Sequence, residues 1–356
     1  MANLVGSRIE RKEDKKFLTG KGRYTADINL PQQTYAYFVR SPHARAKITK
    51  VDHSKAMQAP GVLDIFTGEC VAKDKIGGLI CGWKIVSQDG KDMKCPPHPV
   101  LAKDSVNFVG DHVAVVVAET LEQAKNAAEL VNVSYKLQKA VTKADEATRF
   151  ENIHEGIDSN LSFDFLLGDK GKTDEAFSKA DKIIKLDIVN NRLIPNAMEP
   201  RAAIGDYNTS SDLLTLYTAS QNPHLDRLIM SAFNAVHPEH KFRIVAPDVG
   251  GGFGSKINVY AEDVVVAYAS KKIGRPVKWV AERSESFISD NHGRDHVTHA
   301  ELALNSEAKI TGLKVDTIAN LGAYSLVLAA VTPTYLYAPL LLGIYDIPTA
   351  CCTVKG

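Results

Sequence analysis

The stretch DVGGGFGSK, residues 248–256, places four glycines around one phenylalanine. It follows the apolar run FRIVA and precedes apolar residues at helical spacing, which predicts a strand, a loop and then a helix. Glycines at such a junction let the backbone approach a ligand closely and present amides and a helix amino terminus to an anion. The glycine spacing matches neither the dinucleotide fingerprint nor a P-loop. The loop alone therefore fits either a cofactor site or a tight turn.

A second strand-to-helix corner lies in SQNPHLDRLIMSAF, residues 220–233. Asn222 is predicted to cap a helix that has Pro223 at its first position, and the leucines and isoleucine that follow form an apolar stripe. Gln221 then lies at the corner, where its side chain can face a ligand. His224 is interpreted as a helix-start residue rather than as a metal ligand.

Three histidines, His292, His296 and His299, lie close together in HGRDHVTHAEL. The segment is typical of a loop that enters a strand, and it lacks the helix with a glutamate between two histidines that zinc proteases use. Surface and turn histidines are therefore favoured over a zinc site. The sequence also lacks a Gly-x-Ser-x-Gly elbow, so a serine hydrolase is set aside.

The five cysteines form no Cys-x-x-Cys pair, so neither a disulfide framework nor an iron–sulfur or zinc cage is predicted. They are Cys70, Cys81, Cys95, Cys351 and Cys352. Reduced and mostly buried thiols are expected. Any metal chemistry in this chain must use something other than these sulfurs.

The pattern along the chain predicts strands with helices between them. Three short β-rich runs lie between residues 34 and 68, and residues 113–117 form a predicted buried strand. Thr120 and Gln123 have capping-box spacing for the helix that follows, before an alternating strand at residues 131–135. A polar linker without periodicity comes next, and the runs KIIKLDIV, RAAIGDY, LLTLYTAS, HVTHAELALN and GLKVDTIAN are predicted strands beyond it.

Composition and charge are those of an ordinary globular protein, with 44% hydrophobic and 24% charged residues. The 43 basic and 42 acidic residues are scattered, which argues against nucleic acid because a phosphate backbone favours a concentrated basic face. The amino terminus lacks the apolar core of a secretory signal. The longest uncharged apolar stretch, residues 321–331, is shorter than the ~20 residues that span a bilayer. A cytoplasmic protein without a transmembrane segment is predicted.

Taken together, the motifs resemble those of the molybdopterin-binding large subunit of the xanthine dehydrogenase, aldehyde oxidase and aerobic carbon monoxide dehydrogenase family. They follow the family's order: LTGKGRYTADI, VRSPHARAKI, FVGDHVAVVVAET, NRLIPNAMEPRA, SQNPH, APDVGGGFGSK, GRPVKWVAERSE, GRDH and NLGAY. The resemblance implies an α+β fold, with an α/β hammerhead domain in residues 1–145 and the first part of a molybdopterin-binding α+β domain in residues 146–356. ERSESF with GRDHVTHAEL is closer to the carbon monoxide dehydrogenase-like branch.

The resemblance also implies a cofactor site at the two strand-to-helix corners. The residues expected to contact the cofactor are Gln221, Gly251, Gly252, Phe253 and Gly254. The glycine backbone and the phenylalanine are expected to lie against the molybdenum centre, and the glutamine to direct its amide toward an oxygen ligand on the metal. The metal would be held through the pterin, so no protein ligand is predicted.

The family's catalytic glutamate base is expected beyond Gly356, so a carboxyl-terminally truncated chain, inactive alone and with its catalytic residue unknown, is predicted. The implied cofactor is molybdopterin cytosine dinucleotide with molybdenum. FAD and a 2Fe-2S cluster would lie on partners, an FAD-binding medium subunit and an iron-sulfur small subunit, in a dimer of heterotrimers. The use of copper is left open, because the loop that carries a copper-binding cysteine in carbon monoxide dehydrogenases also lies beyond this sequence.

The implied reaction is the oxidation of carbon monoxide, an aldehyde or an N-heterocycle with oxygen derived from water. Xanthine is disfavoured, because Ile257 stands where purine-oxidising members carry a glutamate. Two alternatives stay open. One is a non-enzymatic remnant that only binds partner subunits, and the other is a phosphate- or nucleotide-binding module that uses the glycine loop.

Overall fold

The computed structural model describes residues 5–356, which form fifteen strands, eight α-helices and several short 3-10 turns. The strands are β1 (Thr34–Arg40), β2 (Ala46–Asp52), β3 (Val62–Thr67), β4 (Ser105–Val106), β5 (His112–Ala118), β6 (Asn132–Leu137), β7 (Asp164–Gly168), β8 (Lys182–Asn190), β9 (Ala202–Asn208), β10 (Leu213–Thr218), β11 (Phe242–Val245), β12 (Val277–Val280), β13 (His296–Leu304), β14 (Ile310–Ala319) and β15 (Ala350–Lys355). The helices are α1 (Asp14–Leu18), α2 (Ser54–Met57), α3 (Gly68–Lys73), α4 (Leu121–Ala128), α5 (Lys170–Ser178), α6 (Pro223–Ala232), α7 (Ala261–Ile273) and α8 (Arg283–Ser289). The mixture confirms the predicted α+β class.

A seven-stranded mixed sheet forms the centre of the molecule, in the order β11-β10-β9-β12-β1-β5-β3. Strands β1, β3 and β5 come from the first part of the chain and β9 to β12 from the second, so one sheet joins the two parts. The two sets meet in a short parallel pairing in which Thr34 lies opposite Val277, and the Thr34 hydroxyl donates to the Pro276 carbonyl. One hydrophobic core is therefore continuous across this junction.

Strand β5 and helix α4 form as their sequences predict. Every residue of β5 is buried, as expected for an apolar run that is covered on both faces. The Thr120 hydroxyl accepts a hydrogen bond from Gln123 N at 3.2 Å, and the Gln123 side chain accepts one from Thr120 N at 3.1 Å. The predicted capping box is confirmed, and α4 contacts β1 and β5.

Helix α7 lies against the central sheet, where it contacts β9, β10 and β12. Residues 264–270 are all buried, so this helix has no solvent-facing side along that stretch and is a core helix. A Cβ on Gly205 of β9 would lie 2.7 Å from the Val266 carbonyl oxygen, so only glycine allows the helix to approach the sheet this closely. The packing of α7 fixes the position of the glycine loop that precedes it.

Two smaller sheets complete the fold, a five-stranded one in the order β7-β15-β14-β13-β8 and a three-stranded one in the order β4-β2-β6. Strand β8 is an edge strand whose nine residues are all exposed. No helix within residues 5–356 is long and apolar enough to cross a membrane.

The domain boundary predicted between residues 145 and 146 falls inside the 3-10 turn Ala144–Arg149. Residues 1–4 of the predicted first domain lie outside the described residues. The boundary stays a prediction. The central sheet takes strands from both sides of it, so the two regions share one sheet.

Candidate cofactor site

The glycine loop connects β11 to α7 and contains three residues with positive φ within four positions. Gly251, Phe253 and Gly254 have φ values of 99°, 52° and 85°. Glycine adopts positive φ readily, whereas a bulky side chain is strained there. The Phe253 side chain is 76% exposed, so burial of the ring does not offset the strain. A Cβ on Gly254 would meet no atom within 4 Å, so the outer side of the loop presents open backbone and one exposed ring.

Gln221 packs against the inner side of this loop. Its Oε1 atom accepts a hydrogen bond from Gly254 N at 3.1 Å, and its backbone N donates to the Lys256 carbonyl at 2.8 Å. A Cβ on Gly252 would lie 2.3 Å from Gln221 Oε1, so the contact requires glycine. Within residues 5–356 the Gln221 amide nitrogen has no hydrogen-bond partner, and the residue is exposed. The structure therefore places all the residues predicted to contact the cofactor together.

A buried ion pair, Glu199 with Lys256, holds the two ends of the loop. The carboxylate of Glu199 accepts from Gly250 N and from Lys256 Nζ, both at 2.8 Å, and Lys256 Nζ also donates to the Glu199 carbonyl at 2.9 Å. The two side chains are 8% and 2% exposed. A Cβ on Gly250 would lie 2.5 Å from Glu199 Cβ, so this contact also needs glycine. Sequence analysis did not assign these two residues.

Asn222 occupies the N-cap position of α6 and Pro223 the first helical position, as predicted. The expected capping bond was wrong, because the Asn222 side chain donates instead to the Ile257 carbonyl at 3.0 Å. Ile257 ends the 3-10 turn that follows the glycine loop. Asn222 therefore ties the start of α6 to the end of that loop.

Asp226, in the first turn of α6, is buried and accepts a hydrogen bond from the Ser220 hydroxyl. Burial raises the pKa of Asp226 to about 7 from 3.8. Between these two values the unfolded chain releases the proton and the folded chain keeps it, so rising pH favours unfolding. We expect the free energy of unfolding of the wild type to fall relative to D226N by up to about 1.4 kcal/mol per pH unit through this window. Urea unfolding at stepped pH measures the difference, and parallel curves would contradict the prediction.

A buried ionic cluster lies behind the loop. Glu262, the second residue of α7, is fully buried, and its carboxylate accepts hydrogen bonds of 2.8 to 3.0 Å from Arg201 and Arg40. His112 Nε2 lies 2.8 Å from Glu262 Oε1. Burial alone would raise the pKa of Glu262, but Arg201, His112 and Arg40 hold it well below its ordinary value. Arg40 and His112 belong to the first part of the chain, so the cluster bonds the two parts together.

Two further carboxylates complete the cluster. Arg40 Nε donates to Glu285 at 2.9 Å, and Arg201 Nε donates to Asp290 at 2.6 Å. Sequence analysis missed this arrangement, although one signal was present. Glu262 lies two residues before the apolar run VVVAYA, and a charge in the first turn of such a core helix requires a buried partner.

The cluster is linked to the glycine loop through Tyr260. The Arg201 guanidinium lies 3.7 Å from the centre of the Tyr260 ring, a cation–π contact. The Tyr260 hydroxyl donates to the Ser255 carbonyl at 2.7 Å, at the end of the loop. The cluster therefore supports the end of the loop at Ser255 through Tyr260.

The three neighbouring histidines make their contacts with residues outside this site. His299 is half-buried on β13 with Nδ1 2.6 Å from Asp187 Oδ1, and His296 packs edge-on against Tyr337. His292 Nε2 lies 3.1 Å from a backbone carbonyl. Across residues 5–356, no group of three or more His, Cys, Asp or Glu side chains is arranged to hold a metal ion.

Two adjoining cavities of 710 and 360 Å³ lie beside the glycine loop rather than at it. They share Arg192, Asp295 and the segment 320–324 as lining. The smaller cavity reaches Tyr260, whose hydroxyl contacts the loop, but neither cavity is lined by Gln221 or by residues 248–256.

Family comparisons agree with the geometry. Residues 153–356 match a molybdopterin cofactor-binding domain, and residues 19–139 match the α/β hammerhead domain of aldehyde oxidase and xanthine dehydrogenase. The chain belongs to the xanthine dehydrogenase and aldehyde oxidase family of molybdopterin-binding large subunits, whose members are molybdenum-dependent oxidoreductases.

The names of the relatives that match this chain refer to different substrates. The nicotine 6-hydroxylase large subunit of Paenarthrobacter nicotinovorans is 33% identical over 99% of this chain, and the carbon monoxide dehydrogenase large chain of Hydrogenophaga pseudoflava is 33% identical over 97%. The crystal structure of quinoline 2-oxidoreductase from Pseudomonas putida 86 superposes with a TM-score of 0.91 at 29% identity over 98% of this chain. This chain spans 43% of the length of each of the first two and 44% of the third.

Proposed function

We propose that this chain forms the cofactor-holding part of a molybdenum hydroxylase, with the glycine loop and Gln221 at the molybdenum centre. The observation that carries the proposal is the contact between them. An exposed, conformationally strained loop is bonded to the one amide side chain that the resemblance assigns to the same centre.

The residues of the loop fit a metal that is held through a pterin. Gly252 leaves no space for a side chain on its inner face, and Gly254 is open on its outer face. A group that brings its own sulfur ligands requires hydrogen-bond donors and a shaped surface from the protein rather than a set of ligating side chains. When bound, the cofactor supplies a two-electron oxidation that uses oxygen from water.

The residues of this chain would orient the cofactor and donate hydrogen bonds to it. Because Gln221 Oε1 is held by Gly254 N, the amide group is oriented and its Nε2 hydrogens remain to donate toward the cofactor. A general base must reach the proton that it removes. Glu199 and Glu262 are each held in a buried ion pair, so we assign the base to neither of them.

The finer proposal is molybdopterin cytosine dinucleotide as the form of the cofactor, with an iron-sulfur small subunit and an FAD-binding medium subunit as partners in a cytoplasmic dimer of heterotrimers. Relatives that are named for carbon monoxide and nicotine support a small molecule of the carbon monoxide, aldehyde or N-heterocycle classes as substrate. Ile257 at the position of the purine-specific glutamate supports the exclusion of xanthine.

G252A tests the cofactor proposal. The added Cβ would displace the Gln221 side chain, which is a flexible neighbour, so the fold should survive while the amide loses its place. We expect molybdenum and cytidine nucleotide to copurify with the wild-type chain from a molybdenum-replete bacterial host, and both to be about tenfold lower in G252A. Elemental analysis and nucleotide release on denaturation measure the two contents.

G171A is the matched control, because a Cβ on Gly171 of α5 would make an ordinary 3.6 Å contact far along the chain from the loop. It should retain both molybdenum and nucleotide at the wild-type level. Absence of both from the wild type, or equal retention by G252A, would contradict the proposal. Binding of free nucleotides without molybdenum would instead support a nucleotide-binding module.

A further inference from the structure

Two cysteines that the site does not use lie on opposite arms of one hairpin-like loop between α3 and β4. Leu79 N donates to the His98 carbonyl at 2.8 Å, and Met93 N donates to the Ile85 carbonyl at 2.8 Å, which fixes the two arms beside each other. Cys81 lies on the outgoing arm and Cys95 on the returning arm, close to the bonded ends. Neither residue is fully buried, contrary to the expectation that the thiols are mostly buried.

Both cysteines pack against the same hydrophobic cluster, and the Cys81 thiol donates to the Trp83 carbonyl at 3.6 Å. Their charged neighbours are Lys84 and Asp92, on the two arms of the same loop. Hydrogen bonding between the two thiols is the main reason that the pKa of Cys81 is lowered to about 7 and the pKa of Cys95 is raised. Cys81 is therefore the more acidic of the two thiols, and its thiolate is the nucleophilic form.

We propose that Cys81 and Cys95 are a peroxide-sensitive thiol pair that closes to an intramolecular disulfide. The inference is independent of the cofactor proposal, because it rests on this loop alone. A partly exposed, acidic thiol with a second cysteine on the facing arm of the same loop is the arrangement that converts oxidation into a reversible disulfide. The other half-exposed cysteine, Cys70, has the Thr67 hydroxyl beside its sulfur and, among residues 5–356, no bonded second thiol.

The chemistry balances with a hydroperoxide as oxidant. The Cys81 thiolate attacks the terminal peroxide oxygen, so an S–O bond forms, the O–O bond breaks and an alcohol or water leaves. The Cys95 sulfur then attacks the Cys81 sulfenic acid, an S–S bond forms and water leaves. Loss of negative charge on Cys81 removes the contact that raises the Cys95 pKa, which favours this second step. The two thiols together lose two electrons, which the peroxide gains.

Closure would fix a loop that contacts the second part of the chain. Gly82 N and Trp83 N both donate to the Val327 carbonyl, at 3.0 and 3.2 Å, beside the larger part of the sheet core. Lys91, near the tip of this loop, is exposed, whereas Ile85 beside Lys84 is fully buried, so Lys91 is the accessible trypsin site in an open loop. The disulfide therefore should protect the loop from trypsin.

The test exposes the folded 356-residue chain to hydrogen peroxide, blocks the remaining thiols with an alkylating agent and maps the cysteine peptides by mass spectrometry. The expected product is one peptide pair that joins Cys81 to Cys95, a loss of two of the five free thiols and recovery of all five with dithiothreitol. Trypsin cleavage at Lys91 should slow in the oxidised chain and return to the original rate on reduction.

C81S should lose the crosslink and the peroxide-dependent protection, and C70S should retain both. Mapping of the wild type decides the matter even if C81S does not fold. The proposal is overturned if peroxide leaves Cys81 and Cys95 unlinked while they remain alkylatable, or if Cys81 accumulates as a sulfenic or sulfinic acid without joining Cys95.

Discussion

E262Q should lower the free energy of unfolding of this chain by about 3–5 kcal/mol, because it removes the charge that two buried guanidinium groups share. Arg40 and Arg201 both donate to this carboxylate, and Glu262 is fully buried. Glutamine keeps the size of the side chain, so the loss reports the charge rather than a cavity. Urea unfolding at pH 7 measures the change.

E119Q provides the matched control. Glu119 makes the same kind of two-point bond to an arginine, Arg275, at 2.8 Å for both oxygens, but the carboxylate side chain is 44% exposed. Water screens this ion pair, so E119Q should lower the free energy of unfolding by no more than about 1 kcal/mol. Equal effects of E262Q and E119Q would contradict the view that the buried cluster is a main link between the two parts of the chain.

The loss of stability that E262Q causes should also depend on pH. The folded-state pKa of Glu262 lies below its ordinary value of 4.5, so its contribution to stability is present above that value and is lost as pH falls through the lower folded-state pKa. The difference between wild type and E262Q should therefore shrink below about pH 4.5.

K256M should produce the second large effect, a loss of about 3–5 kcal/mol together with a looser glycine loop. Lys256 is the only cation bonded to the buried Glu199 carboxylate among the described residues, so methionine leaves a buried charge with the Gly250 amide as its remaining donor. The local readout is chymotrypsin cleavage after the exposed Phe253, which should be faster in K256M.

The double variant E199Q/K256M distinguishes the effect of losing the ion pair from the effect of losing the packing of the lysine side chain. It removes the uncompensated carboxylate, and replacement of both members of a buried pair costs far less than removal of one. We expect it to recover at least half of the stability that K256M loses. If the double variant is as unstable as K256M, the lysine acts through its packing or through its bond to the Glu199 carbonyl rather than through the ion pair.

Local elements of the fold could be predicted because their signals lie within a few residues. The capping box of α4, the buried strand β5 and the strand–loop–helix around residues 248–256 follow from spacing and from apolar runs. The contact residues of the candidate site came from resemblance to a family, and their chemical roles remain a prediction.

The other contacts of the site could not be predicted from the sequence, because they join residues that are far apart in the chain. Arg40 meets Glu262 across 222 residues, and the Glu199 clamp closes across 57. The Asn222 side chain was expected to cap its own helix, but the Ile257 carbonyl competes for it and is supplied by another loop. No local pattern specifies such partners, since they follow from how sheets and helices pack.

Because β1 pairs with the much later strand β12, the central sheet can be completed only late in synthesis. The Thr34 hydroxyl and the Pro276 carbonyl that it contacts are 242 residues apart. At ribosomal rates of about 5–20 residues per second, β1 leaves the ribosome roughly 10–50 s before its neighbour in the sheet exists. During that interval the β1 edge of the β1-β5-β3 part of the sheet is unpaired on the nascent chain, and it is the segment that a ribosome-associated chaperone would be expected to meet first.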